Sequence, residues 1–185
     1  SVTVRCAEIE TIEYNRDKGI SVSVYLGQRK GHASTSDFAA SALRETVDAA
    51  LNIARFTAED PCAGLPDAEL LAIDLHQQPD LDLYHPWLLS VEAGVEIARR
   101  CEQAAFAVSP QISNSEGATV SIQEGQFVSA NSLGFVGGYP SSRHYLSCSV
   151  IAGKNESMQR DDWYSVARDP LAIGSAESIG EQAAR

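Results

Sequence analysis

The chain has 185 residues, 44% of them hydrophobic, enough to bury a core without disulfide staples. Asp and Glu number 25 against 14 Lys and Arg, giving a formal net charge of −11, which argues against a nucleic-acid surface and against anionic membranes as partners. The longest uninterrupted apolar run, Ala104 to Val108, is far short of the roughly 20 residues a membrane-spanning helix needs.

Ser1 to Arg5 opens directly in a strand-like pattern, with no initiator Met and no signal-peptide features. Ala176 to Arg185 resembles a helix cut before its end. Both ends are those expected of an internal segment of a longer protein. Residues 2 to 14 alternate loosely, with Val2, Val4 and Cys6 pointing one way before an irregularity. Asn15 to Gly19 signals a turn, and Ile20 to Leu26 alternates strictly. Gly27 to Gly31 turns again, and His32 to Ser36 is a short strand. This opening third predicts an antiparallel meander with one buried face.

From Phe38 to Phe56 the period becomes helical, with Leu43, Val47, Ala50, Leu51 and Ala54 in one stripe and Ser36 or Asp37 as the cap. Thr57 to Trp87 is an irregular, proline-rich connection, with one short strand expected at Leu70 to Ile73. Ser90 caps a second amphipathic helix through Val108, with Val91, Val95, Ala98, Ala105 and Phe106 facing inward. Five strands follow, at 111–115, 119–123, 126–130, 143–152 and 156–168, with Gly153-Lys154-Asn155 as a hairpin turn. The order predicts an α+β fold: a mostly antiparallel sheet with two long helices packed on one face.

Candidate chemistry is sparse. No HExxH zinc string occurs. His76 and His85 bracket Pro79 to Leu83, but the alternating leucines there read as a half-buried extended segment with solvated aspartates. His144 and Cys148 share a strand face. Four residues at about 3.3 Å each separate them by about 13 Å, too far for a proton-relay pair, so Cys148 reads as a buried structural cysteine. Cys6, Cys62, Cys101 and Cys148 lack the short spacing of a zinc knuckle or redox pair, and a reducing compartment is the simpler setting. The glycine-rich stretch Asn131 to Pro140 lacks the lysine of a phosphate loop and reads as a strand connection, with Phe135 and Tyr139 as core or groove aromatics. Arg29 with Lys30 at a turn tip, and Arg99 with Arg100 on a helix, are too few to reverse the acidic field.

Five strings carry a resemblance: Ala54 to Ala72 (with Asp60-Pro61-Cys62-Ala63-Gly64 at its centre), Asp80 to Pro86, Ile112 to Gly117, Ser142 to Ser147 and Met158 to Asp161. In this order they resemble the PmbA (TldE) branch of the TldD/PmbA metallopeptidase family, nearly end to end. The resemblance implies that residues 1–185 form a single domain, the N-terminal domain of a longer two-domain protein. It further implies a cytoplasmic protein that pairs with a TldD-type subunit as a heterodimer, or forms a homodimer, and acts on unfolded peptides. In that family zinc is held on an HExxxH helix in the C-terminal half of the TldD-type partner. The present segment is therefore expected to supply no catalytic, cofactor-binding or metal residues, serving as a scaffold or substrate-chamber wall. An exposed sheet edge would hold extended substrate by strand addition. The alternatives are a protein-interaction module of the DNA gyrase modulator type, contacting protein rather than nucleic acid, and a cysteine hydrolase built on Cys148.

Overall fold

The computed structural model describes residues 1–71 and 79–185. Its strands are β1 (Val2–Arg5), β2 (Glu8–Ile12), β3 (Ile20–Leu26), β4 (Arg29–Thr35), β5 (Ile112–Ala130), β6 (Val136–Ala152) and β7 (Gln159–Ala167). Its α-helices are α1 (Ala40–Phe56), α2 (Val91–Val108) and α3 (Ala176–Ala183). The class is α+β with largely antiparallel sheets. The contacts group the chain into two compact units. One holds Ser1–Tyr14, Pro79–Ser129 and Gly137–Arg185; the other holds Asn15–Gln78 and Ala130–Val136.

The first unit is a five-stranded sheet in the order β2-β1-β5-β6-β7, with α2 and α3 on one face. Alternation along β6 buries Ser142, His144, Leu146, Cys148 and Val150. Of these, Leu146, Cys148 and Val150 meet Val95, Ala98, Cys101 and Ala105 of α2, and Ile179 and Ala183 of α3, in one apolar cluster with Val2 and Val4. Ser90 caps α2 as expected, its hydroxyl accepting from the Ala93 N–H at 3.2 Å. Val91, expected inward, is 45% exposed because it lies in the first turn, before the helix reaches the sheet. α3 lies close on α2 because Gly180 has no Cβ to strike the Cys101 carbonyl.

The β1–β2 connection was legible only as an irregularity. It is a two-residue hairpin at Cys6 and Ala7, both with positive φ (50° and 67°) although neither is Gly or Asn. Such a conformation costs a non-glycine residue about 1 kcal/mol or more. Glu102 of α2, 1% exposed, offsets that cost: its two carboxylate oxygens accept the Cys6 and Ala7 N–H groups, each at 2.8 Å. Arg99 adds a bond from Nε to the Ala7 carbonyl at 3.1 Å.

Several boundaries differ from the sequence reading. The three short strands expected between 111 and 130 are one strand, β5. Gly117, in the gap expected between the first two of them, lies inside it at φ 115°, where a Cβ would press on the Thr3 side chain and Val4 carbonyl of β1. β6 begins at Val136 rather than Arg143, because Gly138 lets its strand approach the Phe127 carbonyl of β5. The final strand begins at Gln159, after a short 3-10 turn at Asn155–Ser157.

The second unit is smaller. β3 and β4 form a separate two-stranded sheet in unbroken antiparallel register from Ile20↔Thr35 to Leu26↔Arg29, and α1 packs on it. Each long helix thus has its own sheet. Thr46, Ala50 and Ala54 are the buried residues of α1, whereas Val47, placed inward by periodicity, is 44% exposed. The helix comes so near β4 that a Cβ on Gly31 would collide with backbone atoms of Ala50 and Ala54. The expected Ser36 or Asp37 cap falls short of the helix: Ala39 is the N-cap residue, and Asp37 Oδ1 accepts its N–H at 2.8 Å. Leu70 ends a 3-10 turn (Ala68–Leu70); the rest of the strand expected at Leu70 to Ile73 lies largely outside the described residues.

Two substitutions test these contacts by urea denaturation. Glu102→Gln replaces one acceptor oxygen with a donor facing an N–H and is expected to cost about 2 kcal/mol. Gly31→Ala is expected to cost about 1–3 kcal/mol by overpacking and to shift α1. A change near zero in either would contradict the close approach described.

Candidate functional site

The segment that carries the most specific resemblance forms a structured loop. After α1 the Thr57 hydroxyl donates to the Ile53 carbonyl at 2.8 Å. The Asp60 N–H donates to the Gln28 carbonyl at 2.9 Å, and Asp60 Oδ1 accepts the Cys62 N–H at 2.9 Å. Arg29 of β4 reaches the Arg55 carbonyl and, at 3.2 Å, the Glu59 carboxylate. Asp-Pro-Cys-Ala-Gly is thus a turn anchored to the β3–β4 hairpin. With Tyr25, Lys30, Thr57 and Ala58 it lines an open depression of about 400 Å³. The depression offers a cation, an aromatic ring and a thiol, and among the described residues no histidine lines it to act as a base for Cys62. Sequence reading found this string by resemblance and assigned it no contacts.

In the five-stranded unit the histidine candidates are spent on structure. His144 is fully buried on β6, its Nε2–H donating to the His85 carbonyl at 2.7 Å and its ring edge-on to Trp87 at 5.5 Å. Its Nδ1 is buried without a hydrogen-bond partner among the described residues. The Ser142 hydroxyl accepts the His85 N–H at 2.8 Å and donates to the Arg168 carbonyl at 2.9 Å, while the Ser142 N–H donates to the Leu83 carbonyl. This knot fastens the Leu83–His85 segment and the end of β7 to β6. His85 Nε2 lies 3.0 Å from the Asp82 carbonyl and 3.3 Å from its carboxylate. His76 lies outside the described residues.

Cys148 has Cys101, not His144, as its neighbour. The adjoining Cys148 thiol, and then burial, push the Cys101 thiol well above its usual range, and both cysteines lie buried in the apolar core. A zinc ion would need three or four converging donors. Among the described residues no three His, Cys, Asp or Glu side chains converge, and the His85–Asp82 pair supplies only two donors. The described residues alone do not assemble the donor set of a catalytic zinc.

The architecture is that of an α+β chain in which the polar side chains most suited to chemistry are committed to holding strands, turns and segments together. The description "PmbA/TldA metallopeptidase central domain" matches residues 84–185, and "PmbA/TldA metallopeptidase domain 1" matches residues 1–54. The chain belongs to the PmbA/TldA metallopeptidase family. The metalloprotease PmbA of Escherichia coli O157:H7 is 44% identical over 185 residues, all of this chain and 40% of that protein. A PmbA homologue from Haemophilus influenzae is 42% identical over the same span, again 40% of its length. The chain therefore spans about two-fifths of these relatives. A structure from Bacteroides thetaiotaomicron, titled as a proposed modulator of DNA gyrase, shares the fold with TM-score 0.85 at 22% identity, covering 98% of this chain and 41% of that one. TldE from Thermococcus kodakarensis does so with TM-score 0.70 at 16% identity, covering 99% and 40%. The two matched segments are joined within one sheet, since β1 pairs with β5.

Thiol labelling of the native chain checks the cysteine assignment. Cys6 and Cys62, both exposed, are expected to react, and Cys101 and Cys148 only after unfolding. Rapid native labelling of Cys148 would overturn it.

Proposed function

We propose that this chain is the non-catalytic, N-terminal scaffold portion of a PmbA (TldE)-type subunit. In this reading the subunit works in the cytoplasm beside a TldD-type subunit that carries the zinc, and the pair cleaves unfolded peptides. The observation that carries it is the family membership taken with the commitment of His144, Glu102 and Asp60 to backbone hydrogen bonds. Zinc in the partner would polarise the scissile carbonyl and activate water. This chain's own part is to present sheet edges and stitched loops past which an unfolded chain is threaded and held.

The alternative is a protein-interaction module, favoured by the gyrase-modulator title of the Bacteroides thetaiotaomicron structure. With a net charge of −11, contact with a gyrase would be protein to protein. Among the described residues no helix is long and apolar enough to cross a membrane.

The test is a cleavage assay on an unfolded peptide, using the full-length protein that contains this chain. Alone it is expected to leave the peptide intact; mixed with its TldD-type partner it is expected to support cleavage that a zinc chelator abolishes. Cleavage by the lone protein in the presence of chelator would sink the proposal. Recovery of gyrase without the partner in a pull-down would favour the alternative.

A further inference from the structure

The two ends of the five-stranded sheet, β2 and β7, are not equivalent. β2 is five residues long, its register with β1 shifts at Thr3/Val4 so that Glu10 is left unpaired, and Glu8 lies opposite Arg5. Short length, a bulge and charge are the features that keep an edge from accepting another strand. β7 lacks the first two. It is nine residues long and its register runs unbroken from His144↔Ala167 to Ala152↔Gln159. Trp163, Tyr164 and Val166 are 50%, 55% and 42% exposed along it, and Tyr164 stacks on Tyr145 at 5.8 Å. A long, regular edge with exposed apolar side chains is a template for an extended chain, whose N–H and C=O groups alone can complete its ladder.

The charges on β7 indicate what kind of chain. Arg160 is held by Glu116 of β5, two strands away across β6, and the ion pairs among the described residues include neither Asp161 nor Asp162. We infer that the outer edge of β7 holds an extended, unfolded peptide with a Lys or Arg against Asp161–Asp162 and apolar residues beside Trp163, Tyr164 and Val166. This rests on the peptide-handling reading above and adds to it a location and a substrate preference. A second copy of the chain is the poorer occupant. Antiparallel self-pairing about Trp163, the middle of β7, sets Asp161 opposite Ser165 and Asp162 opposite Tyr164, leaving both without a cation opposite them, on molecules that each carry −11 and repel. A cationic strand turns that repulsion into attraction.

The chain has two tryptophans, so Trp87→Phe leaves Trp163 as the sole fluorescent reporter, and it sits on the edge in question. The probe is a ten-residue peptide alternating Lys with Val and Thr, used unmodified and N-methylated at either its odd or its even residues. Binding is expected to shift Trp163 emission. One methylated form should bind at least about tenfold more weakly while the other binds as the parent does, since only alternate N–H groups face the edge. The double substitution Asp161→Asn with Asp162→Asn, its fold checked by circular dichroism, is expected to weaken the Lys probe about fivefold and spare a Gln counterpart. Equal binding of both methylated forms, or binding without a Trp163 response, overturns the inference. So does a dimer of the chain that competes with the probe. If the probe binds but is lost on Thr11→Pro in β2 instead, the location fails while the peptide-handling reading stands. If no unfolded peptide binds, both fail.

Discussion

The carboxylate of Glu102 is the point on which the larger unit turns. It sits in the core side of α2 at 1% exposure, where a charge is tolerated only when fully engaged, and it is engaged by two N–H groups of a turn that backbone preference disfavours. The Cys6–Ala7 hairpin fixes β1 beside β2, and β1 in turn pairs with β5. A single side chain therefore couples helix position, turn geometry and sheet order across 96 residues of sequence. Without it, the disfavoured Cys6–Ala7 turn would lose the acceptors that offset its cost.

From that anchor the remaining packing is close and small-sided. Gly180 brings α3 onto α2, and Gly31 brings α1 onto β4, in each case by removing the one atom that would hold the backbones apart. The Ser142–His144 knot then fastens the loop before α2 and the end of β7 to the most buried strand. The Glu102, Ser142 and His144 side chains thus spend these hydrogen bonds within the fold. The sheet edges and the open sheet face, with its Tyr145–Tyr164 stack, remain outside this internal commitment.

Much of this was legible from residues alone, and the failures have definite causes. The helical period at 40–56 and 91–108 is strong, the Ser90 cap follows from hydroxyl chemistry, and the alternation of Ile20 to Leu26 marks β3. The separation of His144 from Cys148 follows from strand rise, and the structure gives each a different partner. The Cys6–Ala7 turn was invisible because its signal lies on α2, not in the turn. Gly117 and Gly138 fell in expected gaps between strands because a glycine needed for close strand approach and one needed to reverse the chain look alike in sequence. The separation into two sheets was hidden for a similar reason: period-2 alternation shows which face is buried, not which strand is the neighbour. The family resemblance located the Asp60–Gly64 turn but not its anchoring to Gln28 or the depression it borders.

The central claim is that this chain handles unfolded polypeptide through its sheet and does no bond-breaking of its own. Amide hydrogen exchange with and without a saturating unfolded polypeptide reads this most directly. The account predicts added protection along Gln159–Ala167, with the Thr57–Gly64 loop unchanged and the polypeptide intact when recovered. Protection confined to the Thr57–Gly64 depression, or recovery of cleaved polypeptide from the chain alone, would contradict it.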